Sequence, residues 1–170
     1  IRDSKNAENT DVQNIIGKMN QEIIHRGPDE DGFFVEHLED KTIAFAMRRL
    51  SIVDLSTGKQ PIFTEDKSKV IVFNGQIYNS EELKKTLLQK GFVFHTSSPA
   101  EVVLKLYECF GLEAFKMLDG VFAFSIYDKI LDKILHRRKA ALSSGILICP
   151  QNKEAGDVPK VGYFFVIPVP

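Results

Sequence analysis

Cysteine is scarce in this sequence: Cys109 and Cys149 are the only two among 170 residues. Two are too few for a disulfide framework, and neither stands in the paired Cys/His spacing of a zinc site. Such usage fits a reducing, cytoplasmic setting. No apolar run approaches the roughly 20 residues that a membrane-spanning helix needs, and the opening Ile1-Arg2-Asp3-Ser4-Lys5 lacks the apolar centre of a secretory signal. A soluble protein with no membrane partner is expected. An excess of one charge is missing as well. Lys and Arg total 22 against 23 Asp and Glu, a formal net charge of -1, so the basic surface that nucleic acid requires is not built. Internal repeats and low-complexity stretches are absent too. The first residue is Ile rather than Met, from which the expectation is a fragment of a longer protein.

What is present is ordinary globular composition. Hydrophobic residues make up 44% and charged residues 26%, enough apolar surface for one domain with its own core. Thr10-Asp11-Val12-Gln13 reads as a capping box, and Val12, Ile15, Ile16, Met19 and Ile23 then share one face, predicting an amphipathic helix that ends before Gly27-Pro28. Phe33–Val35, Ile43–Met47 and Val70–Phe73 are short β-branched or aromatic runs and read as strands. Ser80-Glu81-Glu82 opens a helix with Leu83, Leu87 and Leu88 on one face, closed near Gly91 and followed by a strand at Phe92–Phe94. Ser98-Pro99-Ala100-Glu101 combines an N-cap Ser, a first-turn Pro and a capping-box Glu. The stripe Val102, Val103, Leu106 and Phe110 follows, and Gly111 is the stop. Leu112–Leu118 predicts a short further helix and Val121–Tyr127 a strand. Blocks of strands broken by helices point to an α+β layered domain rather than a strict βαβ alternation.

Three clusters carry more than fold. They are His25-Arg26-Gly27-Pro28-Asp29-Glu30-Asp31-Gly32, then Arg49-Leu50-Ser51-Ile52-Val53-Asp54 leading to Gln60-Pro61, then Phe73-Asn74-Gly75-Gln76-Ile77-Tyr78-Asn79. With Leu118-Asp119-Gly120-Val121-Phe122-Ala123-Phe124-Ser125-Ile126-Tyr127-Asp128 they resemble, in order and spacing, the glutaminase domain of glutamine-hydrolysing asparagine synthetases. Several separated motifs in the right order are far more specific than one short pattern. The fold that the resemblance implies is a four-layer α/β/β/α sandwich of two antiparallel sheets, of the N-terminal nucleophile hydrolase type. Residues 1–132 are assigned to the amidotransferase domain without its first strand, and 133–170 to a divergent C-terminal segment, an edge strand or tail.

The activity that the resemblance implies is hydrolysis of glutamine to glutamate and ammonia. An N-terminal cysteine attacks the side-chain amide with its own α-amine as base, a chemistry suited to a thiol beside an amine of near-neutral pKa. Ile1 has neither thiol nor hydroxyl, so this chain alone is not expected to catalyse. Asn74 and Gly75 match the oxyanion hole, Arg49 matches the residue that pairs with the glutamine α-carboxylate through its bidentate fork, and Val53 and Gln76 complete the substrate-binding set. Taken alone, Asn74-Gly75 would read as a type I′ hairpin turn and Arg49 as a solvated surface residue. Pro28 and Asp29 fit a turn needed for backbone reasons. Cys109, near the apolar stripe of its helix, reads as a small buried hydrophobe; Cys149 has no His nearby in sequence.

Two departures stand against the family pattern. Gln76 replaces a Glu and Pro99 replaces an acid, both of which help hold the glutamine α-ammonium in the family. Losing such charge partners in a partly desolvated pocket costs ~2 to 5 kcal/mol. The first hypothesis is therefore an enzyme fragment that needs no cofactor of its own, with ATP and Mg implied only for the synthetase domain that the sequence lacks. That domain and glutamine are the expected partners, together with a homodimer. The alternative is a degenerate, non-catalytic binding or regulatory module of the same fold.

Overall fold

A computed structural model describes residues 2–39, 41–49, 59–139 and 160–166. α1 (Arg2–Glu22) leads through a 3₁₀ turn (Ile24–Arg26) into β1 (Glu30–His37) and β2 (Lys41–Arg49). β3 (Ile62–Phe63) and β4 (Lys69–Ile77) follow, then α2 (Ser80–Gln89), α3 (Pro99–Phe110) and a second 3₁₀ segment (Gly111–Lys116). β5 (Gly120–Asp128), β6 (Lys133–Lys139) and β7 (Lys160–Val166) complete the described elements.

The strands form two sheets, ordered β1-β2-β7 and β3-β4-β5-β6. Every neighbour in the second sheet is antiparallel, and so is β1 to β2. β7 departs from an all-antiparallel arrangement: it lies at the edge of the first sheet, parallel to β2, from Lys41↔Lys160 to Met47↔Val166. A parallel neighbour needs a connection of a dozen or more residues, and the chain between β2 and β7 contains the whole of the second sheet and α2 and α3.

Three apolar layers hold the stack together. Val12 and Ile16 of α1 close on Ala44 and Ala46 of β2. Alternate β2 residues Ile43, Phe45 and Met47 point the other way, with Phe34 of β1, onto Val70, Val72, Ala123 and Tyr127 of the second sheet. The far face of that sheet, Ile71, Phe73, Phe124 and Ile126, packs under Leu83, Leu87, Val103, Leu106 and Tyr107 of α2 and α3. The result is the α/β/β/α sandwich. Both middle sheets are covered on both faces, which is why Val70–Phe73 is a continuous apolar run instead of an alternating one.

Several local expectations give way to tertiary context. α1 begins at Arg2, so Thr10-Asp11-Val12-Gln13 lies inside a helix and is not its start; residues 2–9 contain no Gly or Pro, and extending an existing helix is inexpensive. Phe92–Phe94 joins no sheet. Phe92 and Phe94 instead pack against the helix-side core, with the Lys84 and Lys105 ammonium groups 5.1 and 5.8 Å from the Phe94 ring centroid. Leu83 and Leu87 are buried, but Leu88 is exposed. The segment after Gly111 is 3₁₀, not α.

Ser98 caps α3 as expected, its hydroxyl accepting from the Ala100 N–H. Glu101 does not return the favour, because the Ser98 N–H is already given to Thr96 Oγ1. The Glu101 carboxylate, almost wholly buried, accepts instead from the N–H groups of His95 (2.9 Å) and Thr96 (2.7 Å) and from the Thr96 hydroxyl (2.6 Å). Burial pushes its pKa up, but the Thr96 hydroxyl, the two backbone donors and Lys105 outweigh burial and hold it below the ordinary 4.5. A lowered folded pKa means that this stabilisation is complete above the ordinary glutamate range and drains away as pH falls through the folded value. Glu101→Gln is expected to cost about 1–3 kcal/mol at neutral pH, with the gap to the parent chain closing in acid. Urea unfolding at about pH 7 and about pH 3 measures both.

Candidate functional site

The two sheets meet differently at their two ends. At the end that carries the β1–β2 and β5–β6 connections, ion pairs close the gap: Lys129 Nζ lies 2.9 Å from Glu36, and Lys41 pairs with Asp132. Tyr127 donates its hydroxyl to Asp132 at 3.3 Å. Asp128 organises the turn beside it. Its Oδ1 accepts from the Ile130 and Leu131 N–H groups, and its Oδ2 accepts from the Tyr107 hydroxyl at 2.9 Å. Burial first, then the bond to Asp128 and its charge, push Tyr107 up to about 12. Every polar group in this turn cluster has a structural task.

Toward the opposite end, Gln60 touches both sheets. The Phe73 N–H donates to Gln60 Oε1 at 2.6 Å, and Gln60 Nε2 donates to the Phe73 carbonyl at 2.8 Å. The Gln60 backbone meanwhile lies against β1: a Cβ on Gly32 would stand 2.0 Å from the Gln60 carbonyl oxygen. Gly32 of the first sheet and Phe73 of the second are thereby brought to one level. One residue beyond Phe73 is Asn74; two residues beyond Gly32, toward the same open end, is Glu30, opposite Arg49 in register.

Asn74 and Gly75 lie within β4, paired with Ala123 and Phe122 of β5. The hairpin reading of Asn-Gly is thus overturned; no turn occurs there, and the chain reverses only after Ile77. Asn74 shares strand parity with Val70 and Val72, so it stands on the face turned toward the first sheet, with small Ala123 as its neighbour. Gly75 has φ +121, and a Cβ there would meet the Val121 carbonyl at 2.2 Å and the Phe122 Cα at 2.6 Å. Only glycine satisfies both the dihedral and the close approach. Gly120 faces it diagonally, with φ +153, and a Cβ at that position would stand 2.1 Å from the Gln76 carbonyl oxygen. Gln76 is exposed at the rim.

Arg49 ends β2, and Val53 lies outside the described residues. The structure therefore brings Asn74, Gly75, Gln76 and the Arg49 position to the same end of the sandwich. Its neighbour Arg48 is buried on the opposite face, where its Nε donates to the Asn20 carbonyl at 3.3 Å. Pro28 and Asp29 form the exposed loop that delivers the chain to Glu30. One row deeper than Asn74, Ser125 Oγ and His136 Nδ1 are 3.0 Å apart; burial, then Arg138, lower the His136 pKa. Cys109 is half-buried against the helix-side core, away from this end, and Cys149 lies outside the described residues. Among the described residues no cluster of His, Cys, Asp or Glu could hold a metal ion, and no helix is long and apolar enough to cross a membrane.

The sequence motifs contain Gln60, Gly32 and Asn79 but give them no role. Gln60 and Gly32 set the spacing of the open end. Asn79 ties the corner behind it: its Nδ2 donates to the Met117 carbonyl at 2.9 Å and its Oδ1 accepts from the Asp119 N–H at 3.0 Å. A glutamine or asparagine between apolar runs is the signal that the sequence offers, but nothing local says which distant backbone it reaches.

Comparison with known proteins places the chain in a family. A family model described as "Glutamine amidotransferase domain" matches residues 3–141. Asparagine synthetase [glutamine-hydrolyzing] 1 of Bacillus subtilis is 46% identical over 123 residues, which are 72% of this chain and 19% of that protein. Asparagine synthetase [glutamine-hydrolyzing] 2 of Oryza sativa subsp. japonica is 42% identical over 135 residues, 79% of this chain and 21% of that protein. The chain spans about a fifth of the length of these curated relatives. Among solved structures, a glutamine phosphoribosylpyrophosphate amidotransferase from B. subtilis superposes with a TM-score of 0.46 at 25% identity, covering 62% of this chain and 30% of that one.

The Gln60 clamp makes a direct prediction. Gln60→Ala strips the Phe73 N–H and carbonyl of both partners and is expected to destabilise by about 2–4 kcal/mol, whereas exposed Lys59→Ala stays within about 0.5 kcal/mol. Urea titration of the two variants separates these outcomes.

Proposed function

The chain belongs to the glutamine amidotransferase domain family, and on that premise we propose that its open end binds glutamine and serves the hydrolysis of the side-chain amide to glutamate and ammonia. The observation that carries this reading is the placement of Asn74-Gly75: a carboxamide on the inter-sheet face, followed by a backbone N–H on a glycine that no other residue can replace. Two such donors, fixed before the reaction, suit an oxygen that becomes negative in a tetrahedral intermediate. Arg49 takes the α-carboxylate through its guanidinium fork, and Val53 and Gln76 complete the substrate-binding set of this reading.

The attacking group in this reading is a cysteine at the amino end of the domain, with its α-amine as base. Ile1 holds the first position of the sequence given, and Cys109 is spent on packing, so neither supplies the thiol. The domain needs no cofactor. The ammonia passes to a synthetase domain that uses ATP and Mg to make asparagine, in a cytoplasmic enzyme that pairs with a second copy of itself. A second reading, a non-catalytic module of the same fold, is favoured by Gln76 and Pro99, which leave without carboxylates two positions where the family resemblance expects acids.

Glutamate release decides between them, with a Cys-Gly strand placed ahead of Ile1 and a cysteine-to-alanine control. The catalytic reading expects release that the control abolishes and that Asn74→Ala lowers about 100-fold or more. A folded product that releases no glutamate favours the non-catalytic module.

A further inference from the structure

Glutamine as a free amino acid carries two opposite charges on one carbon, and a site that selects it needs an anion beside its cation. Among the described residues several carboxylates are committed elsewhere. Glu101 is tied to His95 and Thr96 on the helix side of the second sheet. Asp119 pairs with Lys139 at 3.0 Å. Glu36, Asp128 and Asp132 close the far end of the sandwich. Position 76 is a glutamine and position 99 a proline.

Glu30 differs from these in its place. It is half-buried at the start of β1 and directly opposite Arg49 in the antiparallel register, where cross-strand Cβ atoms lie about 4.5–5.5 Å apart. Strand parity gives it the face of Gly32, which packs on Gln60, and of Phe34, which packs in the inter-sheet core. Asp31 has the opposite parity, opposite Arg48 on the α1 side. The Gln60 bridge then sets the Glu30 end of β1 level with Asn74.

From this arrangement, and resting on the glutamine-binding reading, we infer that Glu30 receives the α-ammonium of the substrate beside Arg49, making the pair a reader of free amino acids over N-acylated or peptide-borne amides. The acid sits on the first sheet and replaces what position 76 on the second sheet and position 99 at the start of α3 do not offer. Glu30 is not without a partner in the chain as it stands; the ammonium joins or exchanges with that partner.

Calorimetric titration of the chain with L-glutamine and with N-acetyl-L-glutamine tests the inference. Glu30→Gln is expected to weaken glutamine about tenfold, in the range of one charge-assisted hydrogen bond, and to leave N-acetylglutamine unchanged; Glu30→Asp recovers part of the loss. The acetylated ligand doubles as a check that the variant is folded. Equal weakening of both ligands, or no weakening of glutamine, overturns the role of Glu30. A parent chain that binds N-acetylglutamine as tightly as glutamine also overturns it and leaves the amide-hydrolysis reading standing, whereas a parent chain that binds neither overturns both.

Discussion

Where the two sheets come apart, Gln60 touches both: the two ends of its carboxamide satisfy the N–H and carbonyl of Phe73 while its own backbone rests on the bare face of Gly32. A carboxamide has one donor side and one acceptor side, so it pairs with a peptide group as a neighbouring strand would. The contact therefore fixes height as well as distance. If Gln60 shifts, Asn74 moves relative to Gly32 and the start of β1. A side-chain amide in this place does for the site what a longer β3 would do for the sheet.

The division of charge along the sandwich follows from the same geometry. Lys41, Lys129, Glu36 and Asp132 neutralise one another at the end with the tight connections, and Asp128 is absorbed by its turn and Tyr107. Partly exposed pairs of this kind each contribute little to stability; they tie Glu36 and Asp132 to lysines across the gap. The open end keeps Asn74, Gln76, Glu30 and the Arg49 position, flanked by the glycines Gly32, Gly75 and Gly120 that let backbones approach. Polar groups for binding and small residues for access have been placed together, and the bulky apolar residues fill the middle.

Local signals in the sequence located α2, α3 and the strand cores well because each of those elements carries its own evidence: Ser98-Pro99 for a helix start, Gly111 for a stop, Val70–Phe73 for a strand covered on both faces. The failures are of one kind. Thr10 and Gln13 look like a capping box, yet the helix runs through them because tertiary packing at Val12 and Ile16 supports extension. Phe92–Phe94 has strand composition, yet its rings are used as a lid over the helix-side core. Glu101 has capping spacing, yet the Thr96 loop claims its carboxylate. The site shows the same limit. The motif around Asn74 and Gly75 singles those two out as candidates, while the roles of Gln60 and Gly32 depend on residues far away in sequence and leave no periodic trace.

The central claim is that the end of the sandwich bounded by Glu30, Asn74 and Gly75 is where a glutamine molecule binds. Amide NMR titration of the chain with L-glutamine addresses that claim most directly. Saturable shifts centred on the Asn74, Gly75 and Glu30 amides, with the Asp128–Asp132 turn unmoved, are the predicted result. Shifts centred on that turn, or none at any concentration, would contradict it.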